Sequence, residues 1–204
     1  ASPSKGVIRA EAEPAQMALA YAAGGASAIS VLTEEDRFQG SLDDLKTVRA
    51  AVKIPLLRKD FIFDEYQLYE SAAAGADALL LIVAALDDET LAHLRRMTED
   101  ELKMDALVEV HTEDEMRRAA SAGAKLVGVN NRDLHSFAVS LEVSVNMASN
   151  VPAGVTLVAE SGLRSGEDLR RLRALGYGGF LIGESLMRAA EPEKALQELL
   201  DEAS

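Results

Sequence analysis

The chain has 204 residues, no cysteine and a formal net charge of −13 at pH 7. A single domain of this size buries roughly 70% of its unfolded surface, so a real core is available. The missing thiols exclude disulfides and thiolate metal centres and fit a reducing cytoplasm. The acidic balance argues against nucleic acid: the largest basic cluster, Arg170, Arg171 and Arg173 on one helix, reads as a solvated face. No apolar run approaches the roughly 18 residues of a membrane helix, and the N-terminus does not read as a signal peptide. Any anionic ligand has to be held by local backbone dipoles against the field of the whole protein.

The chain opens with "ASPSKGVI", a loop of serine, proline and glycine of the kind that follows a strand. A helix pattern then covers 13–24, a short apolar strand pattern 26–33, a helix 42–52, a strand 55–61, a helix 65–74 and a strand 78–83. The alternation continues with a helix at 88–103, a strand at 106–111, a helix at 113–122, a strand at 126–131 and a helix at 141–149. It ends with a strand at 156–161, a helix at 166–175, a strand at 179–185 and a helix at 193–203. The seven strand runs are almost continuously apolar, as expected when crossover helices bury both faces of a parallel sheet. Gly24, Gly75, Gly123 and Gly176 each close a helix just before a strand and recur about every 50 residues, two βα units per step. Each is expected to end its helix in the left-handed conformation. A period of two units matches the interior of a closed (β/α)8 barrel, filled in layers from alternate strands. The expected fold is therefore a TIM barrel, one domain over 1–204, with seven strands and eight helices read from the chain and one further strand expected ahead of Ala1.

Barrel chemistry lies at the C-terminal ends of the strands. Charges appear there abruptly after apolar runs, at Lys59, Glu109 and Glu160, with Asn130 beside them. One buried charge at a strand end fits a structural ion pair as well as chemistry; three at equivalent positions point to a site. Lys59, flanked by Leu57 and Phe61, is expected to have a depressed pKa or a readily donated proton. Glu109 is a candidate base, and Asn130 offers both a donor and an acceptor. No metal site is expected, because His93, His111 and His135 lack ligand spacing. "AESGLRSGEDL" and "LIGESLM" each run from strand through glycine to helix, and Gly162 and Gly183 allow a phosphate to approach the main chain. Ser2 and Ser4 of the opening loop would complete that cup.

In order, "SPSKGVI", "ISVLTEEDRFQGS", "LLRKDFI", "LLLIV", "LVEV", "VGVNNRDL", "VAESG" and "FLIGESLMR" resemble the indole-3-glycerol-phosphate synthase family over essentially the whole chain. The resemblance implies a (β/α)8 fold, no metal or organic cofactor, and a carboxy-lyase of tryptophan biosynthesis. Such an enzyme converts 1-(2-carboxyphenylamino)-1-deoxyribulose 5-phosphate to indole-3-glycerol phosphate. It implies that Lys59 is the general acid of ring closure, that Glu109 handles a proton later, and that Asn130, Glu160 and Ser161 line the substrate. Arg132 falls near the mouth. Phe38, Phe61 and Leu80 make an apolar pocket for the aromatic ring, and Ser2, Gly162, Gly183 and Glu184 hold the phosphate. The implied partner is a small phosphorylated substrate, with no nucleic acid or membrane, for a cytoplasmic protein that is monomeric in its intact family form. The family also places a Glu-x-Lys strand and a helical extension ahead of "SPSKG", so the chain as given is expected to be impaired. Two other readings remain at this point: a barrel isomerase of a phosphorylated sugar, and an inactive phosphate-binding fragment.

Overall fold

The computed structural model describes residues 13–133 and 136–204 together with Gly6, without the side chain of Asn150. Nine α-helices and seven strands lie among these residues, one helix ahead of each strand and two after the last. Polar residues just ahead of the helices set most of their starts. Ser41 caps α2 (Leu42–Ala51), Asp64 caps α3 (Glu65–Ala73) in a capping box with Gln67, and Asp87 caps α4 (Asp88–Arg96). Thr112 caps α5 (Glu113–Ser121), α6 (Glu142–Met147) has no side-chain cap, and Ser165 caps α7 (Gly166–Ala174). Each side-chain oxygen accepts a bond from a first-turn N–H that has no partner within the helix. The first helix, α1 (Pro14–Ala23), and the last, α9 (Pro192–Glu202), begin instead on a proline, whose missing N–H costs nothing there.

The strands are β1 (Ile29–Leu32), β2 (Leu56–Lys59), β3 (Ala78–Ile82), β4 (Asp105–Val110), β5 (Leu126–Asn130), β6 (Thr156–Glu160) and β7 (Tyr177–Leu181). They form one sheet in chain order, parallel throughout. The sheet is strongly curled. β2 and β6 are four strand spacings apart, about 19 Å if the sheet were flat. Yet the Lys59 ammonium on β2 lies 2.7 Å from the Glu160 carboxylate on β6. Side chains of alternate residues fill the concave face: Leu57, Leu80, Ile82 and Leu107 pack with Ala78, Leu126, Val158 and Leu181. The intervening residues, among them Leu79, Leu81, Val108, Val110, Val127 and Ala159, face outward into a second core with helix residues Leu45, Leu68, Leu91, Met116 and Leu172. This is the wall of a (β/α) barrel, closed by helices outside and plugged by apolar side chains within.

Four details depart from the sequence expectation. A ninth helix, α8 (Glu184–Arg188), occupies the stretch expected to finish the last strand; it has five residues and no capping side chain, too short for a periodic pattern. β7 starts earlier because Gly178 bulges opposite the Leu157–Val158 step of β6. The fourth helix run changes type at its end: Met97–Glu101 is one turn of π-helix, closed by Leu102 N–H donating to Met97 O at 3.0 Å. Gly75, Gly123 and Gly176 do take positive φ, but at the first helix Gly25 does so (φ 95) and Gly24 stays right-handed (φ −74). Gly24 is needed for another reason: a Cβ there would sit 2.7 Å from the Glu193 carbonyl of the adjoining segment.

Candidate active site

β2 delivers two cations to opposite faces of the sheet. Arg58 points outward and is buried. Its Nε donates to Thr33 Oγ1, one terminal nitrogen to the Gln67 carbonyl, Glu70 and Ser71, and the other to Asp60. Thr33 in turn donates to the same Asp60 oxygen at 2.6 Å. That network clamps the end of β2 to β1 and α3.

Lys59 Nζ meets Glu160 Oε2 at 2.7 Å and stands 3.8 Å from Glu109 Oε2. Each of these residues lies two positions beyond an apolar plug residue, Leu57, Leu107 or Val158, so the charged groups rest on the apolar plug at its C-terminal side. Gly128 makes the space: a Cβ on it would collide with Glu160 Oε1. Asn130 is in register with Glu160 on the same face, and its Oδ1 accepts the Arg132 N–H at 3.0 Å. Asn131 turns outward and latches the loop ends. It donates to the carbonyls of Glu160 and Ser161 and accepts from the Ser144 backbone and hydroxyl.

One ammonium faces two buried carboxylates, and this fixes the protonation. Burial alone lowers the pKa of Lys59, but the charges of Glu160 and Glu109 outweigh it and raise it above 10.5. The depressed pKa expected from its apolar neighbours is thus corrected: the neighbours in space are acids, not the neighbours in sequence. Burial, opposed by Lys59 and reinforced by Glu109, pushes Glu160 up to about 7. The cluster therefore holds a firm ammonium and one carboxyl near its midpoint at neutral pH. Glu160 Oε1 is buried without a hydrogen-bond partner.

The remaining sequence candidates fall around this centre. Phe38 and Phe61 pair at the rim with ring centroids 6.4 Å apart and planes tilted by 50°. Phe38 is held by its N–H donating to Glu34, which also accepts from Arg37. Leu80 belongs to the apolar plug with Ile82, which the sequence reading passed over. Ser161 and Gly162 both take positive φ, 65 and 81, and turn the chain sharply after β6; a Cβ on Gly162 would lie 2.6 Å from Val139. Gly183 has open space where a Cβ would be. Glu184 is matched by Arg132 at 3.6 Å and Arg188 at 3.3 Å. Ser2, Ser4 and His135 lie outside the described residues. Sequence reasoning missed Gly128, Asn131 and the surroundings of His111. A lone glycine inside an apolar strand was the available sign of the first.

A centre of one lysine and two glutamates inside a curled parallel sheet, with glycine turns after β6 and β7, sets the context for the comparisons with known proteins. The profile of indole-3-glycerol phosphate synthase matches residues 1–199. The chain belongs to this family. It is 53% identical to the indole-3-glycerol phosphate synthase of Carboxydothermus hydrogenoformans over 98% of this chain and 76% of that protein. With the enzyme of the same name from Mycolicibacterium gilvum it shares 52% identity over 98% of this chain and 73% of that protein. Among solved structures, a 3-hexulose-6-phosphate synthase superposes with a TM-score of 0.76 at 18% identity, covering 93% of this chain and 92% of that one. A thiamine phosphate pyrophosphorylase from Pyrococcus furiosus gives 0.71 at 20% identity over 96% and 90%. These two likenesses carry the fold alone.

Proposed function

We propose that the chain forms the catalytic barrel of an indole-3-glycerol-phosphate synthase, a carbon–carbon lyase of tryptophan biosynthesis acting in the cytoplasm. Its substrate is 1-(2-carboxyphenylamino)-1-deoxyribulose 5-phosphate, and the products are indole-3-glycerol phosphate, carbon dioxide and water. The observation that carries the reading is the meeting of Lys59, Glu160 and Glu109 from β2, β6 and β4 in a family member.

The chemistry follows from the protonation of that cluster. Lys59 is reliably an ammonium, which is the form a general acid requires. It donates to the ketone oxygen as the ring carbon that carries the carboxylate attacks the ketone carbon. Carbon dioxide then leaves from that ring carbon; the new hydroxyl takes up a proton and departs as water, and the adjoining methylene carbon gives up a proton to complete the indole. Glu109 accepts the proton that this last step releases. Glu160, poised near pH 7, steadies the ammonium before transfer and stays beside the neutral amine afterwards. Such a positioned acid and base are each typically worth 10²–10⁴-fold in rate. Phe38 and Phe61 take the aromatic ring, and Asn130 and Ser161 line the substrate. The main-chain N–H groups near Gly162, Gly183 and Glu184 hold the phosphate, where Arg132 and Arg188 offset the Glu184 carboxylate.

The test is an indole-fluorescence assay on the protein, with carbon dioxide release followed in parallel. The expected result is one carbon dioxide per indole formed. Absence of both, with rapid isomerisation of a phosphorylated sugar instead, would replace this reading with the isomerase one.

A further inference from the structure

His111 follows β4 directly, two residues beyond Glu109 and on the same side of the strand. Its Nδ1 lies 3.2 Å from Glu115 Oε2, the oxygen that also accepts the His111 backbone N–H at 2.6 Å. Glu115 is fixed in the first turn of α5, its own N–H donating to the Thr112 cap. The imidazole is thereby oriented from one side. On the other side Nε2 points at Glu109 Oε1 from 3.4 Å, yet it is buried and makes no hydrogen bond.

That gap has the size and chemistry of one missing proton. With hydrogen on Nδ1, as Glu115 requires, Nε2 turns a lone pair toward a carboxylate oxygen. A carboxylate there repels it; a carboxylic acid donates to it. The contact becomes attractive only when Glu109 or His111 carries an extra proton. A purely structural histidine has no need of such an arrangement, because its second nitrogen would be partnered in the resting state.

We propose that His111 is a relay residue that acts through Glu109, taking the proton Glu109 has accepted and so restoring its basic form. The Glu109 O–H bond breaks and an Nε2–H bond forms, giving a carboxylate and an imidazolium. The imidazolium then passes its Nδ1 proton to Glu115, which is partly exposed and releases it to solvent, and the ring returns to the Nδ1–H form before the next turnover. One proton enters, one leaves, and no electron moves. Every acid around the ring favours this transfer. Burial lowers the imidazole pKa, but the bond to Glu115 and the charges of Glu109, Glu115 and Glu160 together raise it above 6.5. Among the described residues, Lys59, on the far side of Glu109, and Arg118, beside Glu115, are the cations near the group. The proposal deepens the reading of Glu109 as the proton acceptor and rests on it.

Two measurements on the protein test it. Histidine ring signals are titrated by NMR in the wild type, E109Q and E115Q, with H111Q assigning the His111 peak. His111 is expected to titrate above 6.5 and to fall by about one unit in E109Q and in E115Q. In turnover, H111A is expected to lose about 10–100-fold in kcat with KM nearly unchanged, and added imidazole is expected to restore part of the loss. A His111 titration that ignores E109Q overturns the proposal, and so does an H111A enzyme with wild-type kcat or one that imidazole does not rescue. A wild-type protein that forms no indole strikes the functional reading instead, and is distinguished by the control alone.

Discussion

Arg58 and Lys59 are adjacent on β2, both cationic, both set against carboxylates, and they face opposite ways. Arg58 looks outward into the helix layer and every one of its nitrogens has a protein partner. Lys59 looks inward, where it is the single ammonium between two acids, one of which keeps a bare oxygen in the space left by Gly128. The outward group is finished: nothing remains for a ligand to satisfy. The inward group is unfinished: the Lys59 side chain is 24% exposed against 4% for Arg58, and a carboxylate oxygen beside it has no partner. A buried charge with a complete shell holds structure, whereas one with an incomplete shell is available for chemistry.

The contrast can be broken from either side. The largest effect expected is on the outward face. R58M strands Asp60 and Glu70 and should cost about 3–5 kcal/mol in urea unfolding, because removing one partner of a buried pair leaves the others uncompensated. On the inward face, Glu160 should make stability depend on pH. Its folded pKa is raised from 4.5 to about 7, so the stability it contributes is present below 4.5 and is lost as the pH rises through 7. Between pH 5 and 8 the wild type should lose on the order of 3 kcal/mol relative to E160Q, measured by paired denaturation curves. An E160Q curve parallel to the wild type over that range would remove the raised carboxyl. Filling the space should cost less: G128A pushes a methyl into Glu160 and should destabilise by about 1–3 kcal/mol while lowering kcat. Smallest is the rim, where F61A should raise KM several-fold, about 1 kcal/mol, with little change in kcat.

The strands and long helices were legible because the outer and inner cores demand apolar residues at most strand positions, and hydroxyl or carboxylate caps mark many of the helix starts. α8 was not, since five uncapped residues after Gly183 carry no period. The glycine rule failed at the first helix because Gly24 answers to a neighbouring segment, a contact that spacing does not encode. Lys59, Glu109 and Glu160 stood out as charges after apolar runs, but their effect on one another did not. Sequence neighbours predicted a lysine easily stripped of its proton, and the curled sheet supplies two acids that hold the proton on. The same curl brings out His111, which reads from spacing only as a histidine without a metal.

The comparison comes down to turnover per folded molecule in two neighbouring substitutions. Measured by indole fluorescence and normalised to the folded fraction, K59M is expected to lose 10²–10⁴-fold in kcat, and R58M to stay within about threefold of the wild type. Equal losses in the two variants, or a K59M enzyme that still closes the ring at the wild-type rate, would contradict the account.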